Sequence, residues 1–323
     1  MKKTHLVVAM ASAAVLWSAW LVSGQTPAQP PAHLSTVTKE QFARWMTELS
    51  NWGRWGKDDE LGTVNLVTPA KRKQAAALVQ TGTSVSLSRE IPRQQGGSGP
   101  QNRPVNPGGS LQNLFLIQGG YLFERQEIEY HGSLLSHFDA LCHVSYNGKL
   151  YNGFDFKTVV TPEGGCSKLA VTGITSGIVT RGLLLDIPGT RVRREDIDAW
   201  EKRTGLRISS GDALLLRTKR PGTAAAEFGS AGYEPSLIPF LKERDIALLG
   251  ADVPQEGGNI VGISIPIHTF TIVALGMNLL DNLDLEALAA TAAKLKRWDF
   301  MLTVEPLRVQ NGAGSAVNPI AVF

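Results

Sequence analysis

Residues 130–143 read Tyr-His-Gly-Ser-Leu-Leu-Ser-His-Phe-Asp-Ala-Leu-Cys-His and hold three of the chain's six histidines beside one carboxylate. A chain that crowds these groups into an otherwise apolar run must put them on one side of an element whose other side is core. Extended backbone does this, because successive side chains alternate faces. His131, Ser133, His137, Asp139 and His143 then share one face, and Leu134, Phe138 and Ala140 share the other. The segment demands a sheet with a covered back and a polar front.

Imidazole nitrogens with a carboxylate oxygen suit zinc, manganese or ferrous iron, whereas calcium prefers an all-oxygen shell. One isolated histidine would read as a hydrogen-bonding strand end. His137-x-Asp139 with further histidines six residues before and four after points instead to a metal or catalytic site.

At these residues the chain resembles the cyclase family of metal-dependent hydrolases, which includes bacterial kynurenine formamidases and isatin hydrolase. The family motif reads His-x-Gly-Thr-His-x-Asp-x-Pro-x-His, and His137, Asp139 and His143 match its second histidine, its aspartate and its last histidine. Ser133 stands where the first histidine is expected, and Leu141 where the proline is. His131 has the same strand parity and supplies the missing ligand if the backbone bulges. Residues 51–65, 181–186 and 211–218 resemble further family segments. Pro266-Ile267-His268 followed by 276–283 resembles the second ligand segment, with Asp281 where glutamate is commoner. The likeness covers about residues 40–323.

The resemblance implies a swivelling β/β/α architecture, a homo-oligomer, and a metal held by His137, Asp139, His268, Asp281 and His131. The ion is zinc or manganese, one or two per subunit, with Asp139 as the bridge if all five residues bind. It makes His143 a proton relay, base and then acid, which an unperturbed pKa of about 6.5 suits. The alternative for His143 is to orient Asp139 only. The implied activity is hydrolysis of a non-peptide C–N bond, in an aryl formamide or a cyclic amide, by a metal-activated water. The rival reading is a non-catalytic metal-containing binding or scaffold protein on the same fold. The irregular first-histidine position favours that rival, and retention of His143 favours the enzyme.

Lys2 and Lys3, an apolar run over residues 6–22 and small residues before Gln25 read as a secretory leader cut after residue 24. Residues 25–37 follow as a Pro-rich tail and 38–323 as the hydrolase domain. An uncleaved anchor is the alternative. Cleavage predicts a periplasmic or secreted protein with no stable membrane association. It takes the formal charge from +3 to +1, with 30 basic residues against 29 acidic. That balance gives no support for nucleic-acid binding, so the expected partner is a small amide or lactone substrate. The remaining ~300 residues suffice for one large core. Cys142 and Cys166 can pair in an oxidising compartment, and a buried free thiol stays equally open because Cys142 has core-side parity. A cysteine nucleophile is the weakest of the three.

Thr38-x-x-Gln41 has capping-box form and opens a stretch in which Phe42, Trp45, Met46 and Leu49 share a helical face. Thr68-Pro69 starts a second helix, with Gly82 as its stop. Apolar runs at 84–87, 114–117, 178–187, 213–218, 246–251 and 301–309 read as strands, several without alternation, as when both faces are buried. Helices are expected at 194–203, 236–244 and 285–297. The order argues for an α/β domain with a mixed, covered sheet and flanking helices. Residues 94–109, rich in Gly, Gln, Pro and Asn, read as a loop of the lid or dimer-arm kind. Asp58, Asp59 and Asn65 are turn formers, and Asp252 falls at a strand end near the site. Residues 255–259 carry no phosphate-loop pattern. Trp52, Trp55 and Phe138 offer an apolar pocket for an aromatic substrate, against the plainer reading of core.

Overall fold

The computed structural model describes residues 34–90, 94–95, 110–132, 135–187, 191–218 and 231–323, with backbone alone at 94–95 and 110–115. The leader, the tail up to residue 33, the loop 94–109 beyond its first two residues, and Ser133 and Leu134 lie outside these. A nine-stranded sheet dominates. We label its strands β1 (Ser84–Ser86), β2 (His137–Asp139), β3 (Ile178–Asp186), β4 (Ala213–Arg217), β5 (Leu248–Ala251), β6 (Asn278–Asp281), β7 (Asp299–Val304), β8 (Gly314–Ala316) and β9 (Ile320–Val322). Their spatial order is β1-β9-β7-β3-β4-β5-β6-β2-β8.

The centre, β3 to β6, is parallel. These are the runs without alternation: Leu214, Leu215 and Leu216 of β4 are all fully buried, and each such side chain contributes about 1.5–3 kcal/mol. Parallel neighbours need crossovers. They are made by helices α3 (Arg194–Thr204), α4 (Ile238–Glu243) and α5, which begins as Pro266–His268 and continues as a π-helix over Thr269–Leu275. The flanks are antiparallel, and β7 alternates buried and part-buried positions as a sheet does when one face is less covered. The expected α/β domain with a mixed sheet and flanking helices is thus present.

Local sequence explains most helix starts. Thr38 accepts from Gln41 N ahead of α1 (Lys39–Glu48), and Thr68 accepts from Lys71 N ahead of α2 (Pro69–Ala76). The second helix ends at Ala76, short of Gly82. Lys71 is drawn down into a buried ion cluster with Asp212 (2.6 Å), which Arg181 also grips (2.6 Å), and this ties α2 to β3 and the start of β4. The last strand expectation also shortens, β7 stopping at Val304. The final helix, α6 (Glu286–Leu295), packs near β1 and β3.

Three elements bear directly on the site. Cys142 and Cys166 form a disulfide, which resolves the cysteine question. Residues 110–118 and 121–129 form a long antiparallel hairpin that leads into Tyr130. The segment from Asn51 to Thr63 meets the far end of α5: Asn51 N and Nδ2 donate to Ala274 O and Leu275 O, Trp52 Nε1 to Val273 O, and Thr63 N to Gly276 O. These donors satisfy carbonyls that a helix end leaves unpaired. The fit is close, since a Cβ on Gly62 would sit 1.9 Å from Gly276 O. Among the described residues no helix is long and apolar enough to cross a membrane.

Candidate metal centre

Strand β2 pairs antiparallel with β6 so that His137 faces Asp281 and Asp139 faces Leu279. Opposed residues share a face, so His137, Asp139 and Asp281 project together while Phe138 and Leu280 enter the core. On the other edge β8 sets Gly314 beside Asp139 and Ala316 beside His137. The glycine is required by space: a Cβ there would lie 2.2 Å from Phe138 O and 3.2 Å from the Tyr130 ring.

The strand is three residues long, so the alternation expected over 131–143 does not run its full length. Gly132 takes a φ of 133°, open to glycine, and His143 N donates to Ala140 O in a turn after β2. The turn and bend bring two rings together that strand parity alone would have spaced apart. His131 and His143 stack at 4.0 Å with an interplanar angle of 11°, and the Tyr130 ring packs against His131 at 4.4 Å, tilted by 48°.

Asp139 is the hub. His131 Nε2 lies 3.3 Å and His137 Nε2 3.6 Å from its Oδ1, and His268 Nε2 lies 3.7 Å from its Oδ2. Two donor groups share it, His131–Asp139–His143 and His137–Asp139–Asp281, each with ligand atoms within 4.8 Å of one another. Both carboxylate oxygens are buried, and neither accepts a hydrogen bond from a described residue. Burial raises the Asp139 pKa, but His143, His137 and His131 outweigh it and hold the carboxyl well below its ordinary range. A buried, ionised carboxylate without hydrogen-bond donors is costly unless cations surround it.

The surrounding bonds aim the Nε2 atoms inward. His137 Nδ1 lies 2.8 Å from Leu135 O, and since a carbonyl only accepts, Nδ1 carries the proton and Nε2 is left as the donor atom to an ion. His268 opens α5, where Glu256 accepts from Ile267 N (3.0 Å), His268 N (2.9 Å) and His268 Nδ1 (2.8 Å). Its Nε2 faces Asp281 Oδ2 at 3.2 Å. Burial lowers the His268 pKa, but Asp281 and Glu256 overcome it and raise it well above the ordinary value. Gln255 Nε2 donates to Asp281 Oδ1 (2.8 Å) and leaves Oδ2 for the cluster. Burial depresses His143 to about 4, against the pull of Asp139, so its imidazole is neutral at neutral pH. Nitrogen and carboxylate donors converging on an orphaned buried carboxylate fit a divalent metal cation.

The model of the Cyclase family matches residues 32–256. The chain belongs to that family. A solved structure described as a novel cyclase is similar over 86% of this chain and 99% of its own, at 26% identity and a TM-score of 0.72. An isatin hydrolase bound to the product analogue thioisatinate is similar over 78% of this chain and 95% of its own, at 19% identity and a TM-score of 0.50. Isatin hydrolase A from Ralstonia solanacearum is similar over 75% and 92%, at 19% identity and a TM-score of 0.48. No curated protein matches the sequence.

In this cyclase His131, His137, Asp139, His143, His268 and Asp281 come together. The pocket residues do not join them. Phe138 is fully buried on the opposite face of β2, and Trp55 lies under the Arg54 guanidinium at 4.7 Å. Trp52 lines a separate groove of about 440 Å³ with Met46, Tyr146 and Val273. Phe138 is therefore core, because its parity is opposite to that of the donors. Asp252 has its carboxylate engaged by Thr218 N and Oγ1 (2.9 Å for the latter). Asp59 and Asn65 do organise their turn, with Asn65 Nδ2 2.8 Å from Asp59 Oδ1. Sequence reasoning passed over Gln255 and Glu256. The signal available was a Gln-Glu pair directly after a Val-Pro strand exit, a place where polar side chains need a buried reason.

Proposed function

We propose that this cyclase-family chain is a metal-dependent hydrolase that cleaves the non-peptide C–N bond of a small amide, either an aryl formamide or a cyclic amide such as isatin, with simple lactones as related substrates. The observation that carries the reading is Asp139, buried without a hydrogen-bond donor and ringed by imidazole nitrogens. We assign His137, Asp139, His268, Asp281 and His131 as the residues that hold zinc or manganese. Sharing of Asp139 between two donor groups suits two ions.

A divalent ion in this cluster acidifies water and polarises a carbonyl oxygen. The chain's own residues do the rest. His143, neutral and stacked on His131, takes the proton from the attacking water as the C–O bond forms and passes it to the nitrogen as the C–N bond breaks. Glu256 and Gln255 keep His268 and Asp281 turned inward. Isatin hydrolase, which shares the fold, is the source of the cyclic-amide expectation.

We also propose export to the periplasm or beyond. The leader-like residues 1–24 and the Cys142–Cys166 disulfide both suit an oxidising compartment. The mature N-terminus should then be near Gln25, and intact Met1 chain in the inner membrane would replace export by anchoring.

The test is metal analysis of the purified protein, followed by hydrolysis of aryl formamides, isatin and lactones with and without chelator. Chelator-sensitive turnover is expected, and both His137→Ala and Asp139→Ala should lose metal while staying folded. Metal-loaded protein that turns over none of the three classes would leave the binding or scaffold role.

A further inference from the structure

The Cys142–Cys166 disulfide lies next to the proposed proton relay. Cys142 directly precedes His143 in the chain, and both cysteines are buried, at 1% and 2% exposure. The turn that carries His143 leaves β2 after Asp139 and is closed by one backbone bond of its own, His143 N to Ala140 O at 3.0 Å. A single hydrogen bond contributes about 0.5–1.5 kcal/mol net, so a turn held by it alone would open a sizeable part of the time.

The disulfide joins this turn to a segment that is itself tied to β2. Cys166 N donates to Asn311 O (2.9 Å), Asn311 Nδ2 donates to Gly164 O (2.8 Å), and a Cβ on Gly165 would lie 2.5 Å from Asn311 O. A little further along, Ala313 O accepts from Ala140 N (2.9 Å), and Gly314 of β8 pairs with Asp139. The path from Asp139 through Ala140, Cys142, the disulfide, Cys166, Asn311 and Ala313 therefore closes back on Asp139. His143 is attached to this circuit beside the disulfide, and the hub carboxylate belongs to it.

We propose that Cys142 and Cys166 are positioning residues for the reaction: their bond holds the His143 imidazole in register with Asp139, and the dithiol form keeps its metal ligands with a poorly placed relay. This rests on the reading of His143 as the group that moves the proton. The ligands do not depend on the sulfur bridge in the same way, since His137 and Asp139 lie in β2, Asp281 in β6 and His268 at the start of α5. A disulfide that only constrained the unfolded chain would act equally well wherever it closed a loop of this length. This one closes its loop beside the base.

Cys142→Ala with Cys166→Ala is compared with wild type as the zinc-loaded mature chain. On the amide turned over best, kcat should fall about tenfold to a hundredfold, the scale of a ~1 Å misplacement, with KM and bound zinc within about twofold. In a His143→Gln background the same cysteine pair should lower the rate no further, because the group it positions is gone. A second readout needs no activity. The His143 ring proton, identified by its absence in His143→Gln, feels the ring current of His131 at 4.0 Å and should move toward the free-imidazole position when the bridge is removed. Amide exchange on the wild type needs no variant: His143 N–H should exchange as slowly as Ala140 N–H, and exchange about a hundredfold faster overturns the closed circuit. An unchanged kcat and ring shift in the cysteine variant, an equal loss of rate in the His143→Gln background, or loss of zinc overturns the positioning role. A wild type that turns over no amide overturns the hydrolase reading alone, and the ring shift and amide exchange still decide whether the bridge holds His143.

Discussion

Replacement of Glu256 by glutamine tests whether the centre is held by its supporting bonds. Glu256 is fully buried and accepts three hydrogen bonds, one on Oε2 from Ile267 N and two on Oε1 from His268 N and Nδ1. The amide keeps one accepting oxygen. Directed at His268, it leaves its NH2 facing the Ile267 N–H, and a buried donor without an acceptor costs about 1–3 kcal/mol. The two bonds retained lose their charge assistance, about 1 kcal/mol each. Metal-free Glu256→Gln should therefore unfold about 3–5 kcal/mol more easily than wild type, read from urea transitions in chelator. Metal affinity should fall about 10–100-fold, the usual effect of a lost imidazole partner, which is about 1.4–2.7 kcal/mol. Competition with a chromophoric chelator measures it. Affinity within twofold of wild type, while His268→Ala loses the metal, would refute the orienting role.

His143→Gln should keep the metal and lower turnover by about a hundredfold or more; loss of the metal would make His143 a ligand. Removing both cysteines, Cys142→Ala with Cys166→Ala, frees a loop of 24-residue separation and should cost about 3.5 kcal/mol on chain-entropy grounds, and a urea-derived loss under about 1 kcal/mol contradicts that accounting. Asp252 has its carboxyl pushed up by burial, against the hydrogen bonds from Thr218. A raised folded pKa means its contribution is full below the unfolded value of about 3.9 and is lost as pH rises through the folded value. Asp252→Asn should flatten that decline in a stability–pH profile, and parallel profiles for variant and wild type would refute the assignment.

Local rules carried the helix starts at Thr38 and Thr68 and the buried central strands, because caps and apolar runs act over a few residues. The disulfide was open in the sequence, since two cysteines 24 residues apart pair only if the fold brings them together. The hairpin's first strand was visible as the apolar run 114–117, but the exposure of Leu116 and Ile117 was not, because an apolar run in a sequence does not say what covers it. Phe138 was placed on the core face by parity and then offered to the pocket by chemistry, and the structure sides with parity.

The candidate donors were legible. His137, Asp139 and His143 stand in a short motif, and family resemblance added His268 and Asp281. His131 was legible only as a residue of the right type, since its approach to Asp139 depends on the bend at Gly132 and the stack with His143. Glu256 and Gln255 were unreadable as supports, because a hydrogen bond across 12 or 26 positions leaves no periodic trace. The sequence by itself determined which side chains could bind an ion and which faces they share along a strand. The tertiary structure decided their aim: pairing of β2 with β6 sets His137 opposite Asp281, and buried acceptors at Leu135 and Glu256 turn two imidazoles so that their Nε2 atoms face the carboxylates of Asp139 and Asp281. Strand alternation acts between neighbours, whereas the direction of a lone pair is set by whatever the fold packs behind the ring.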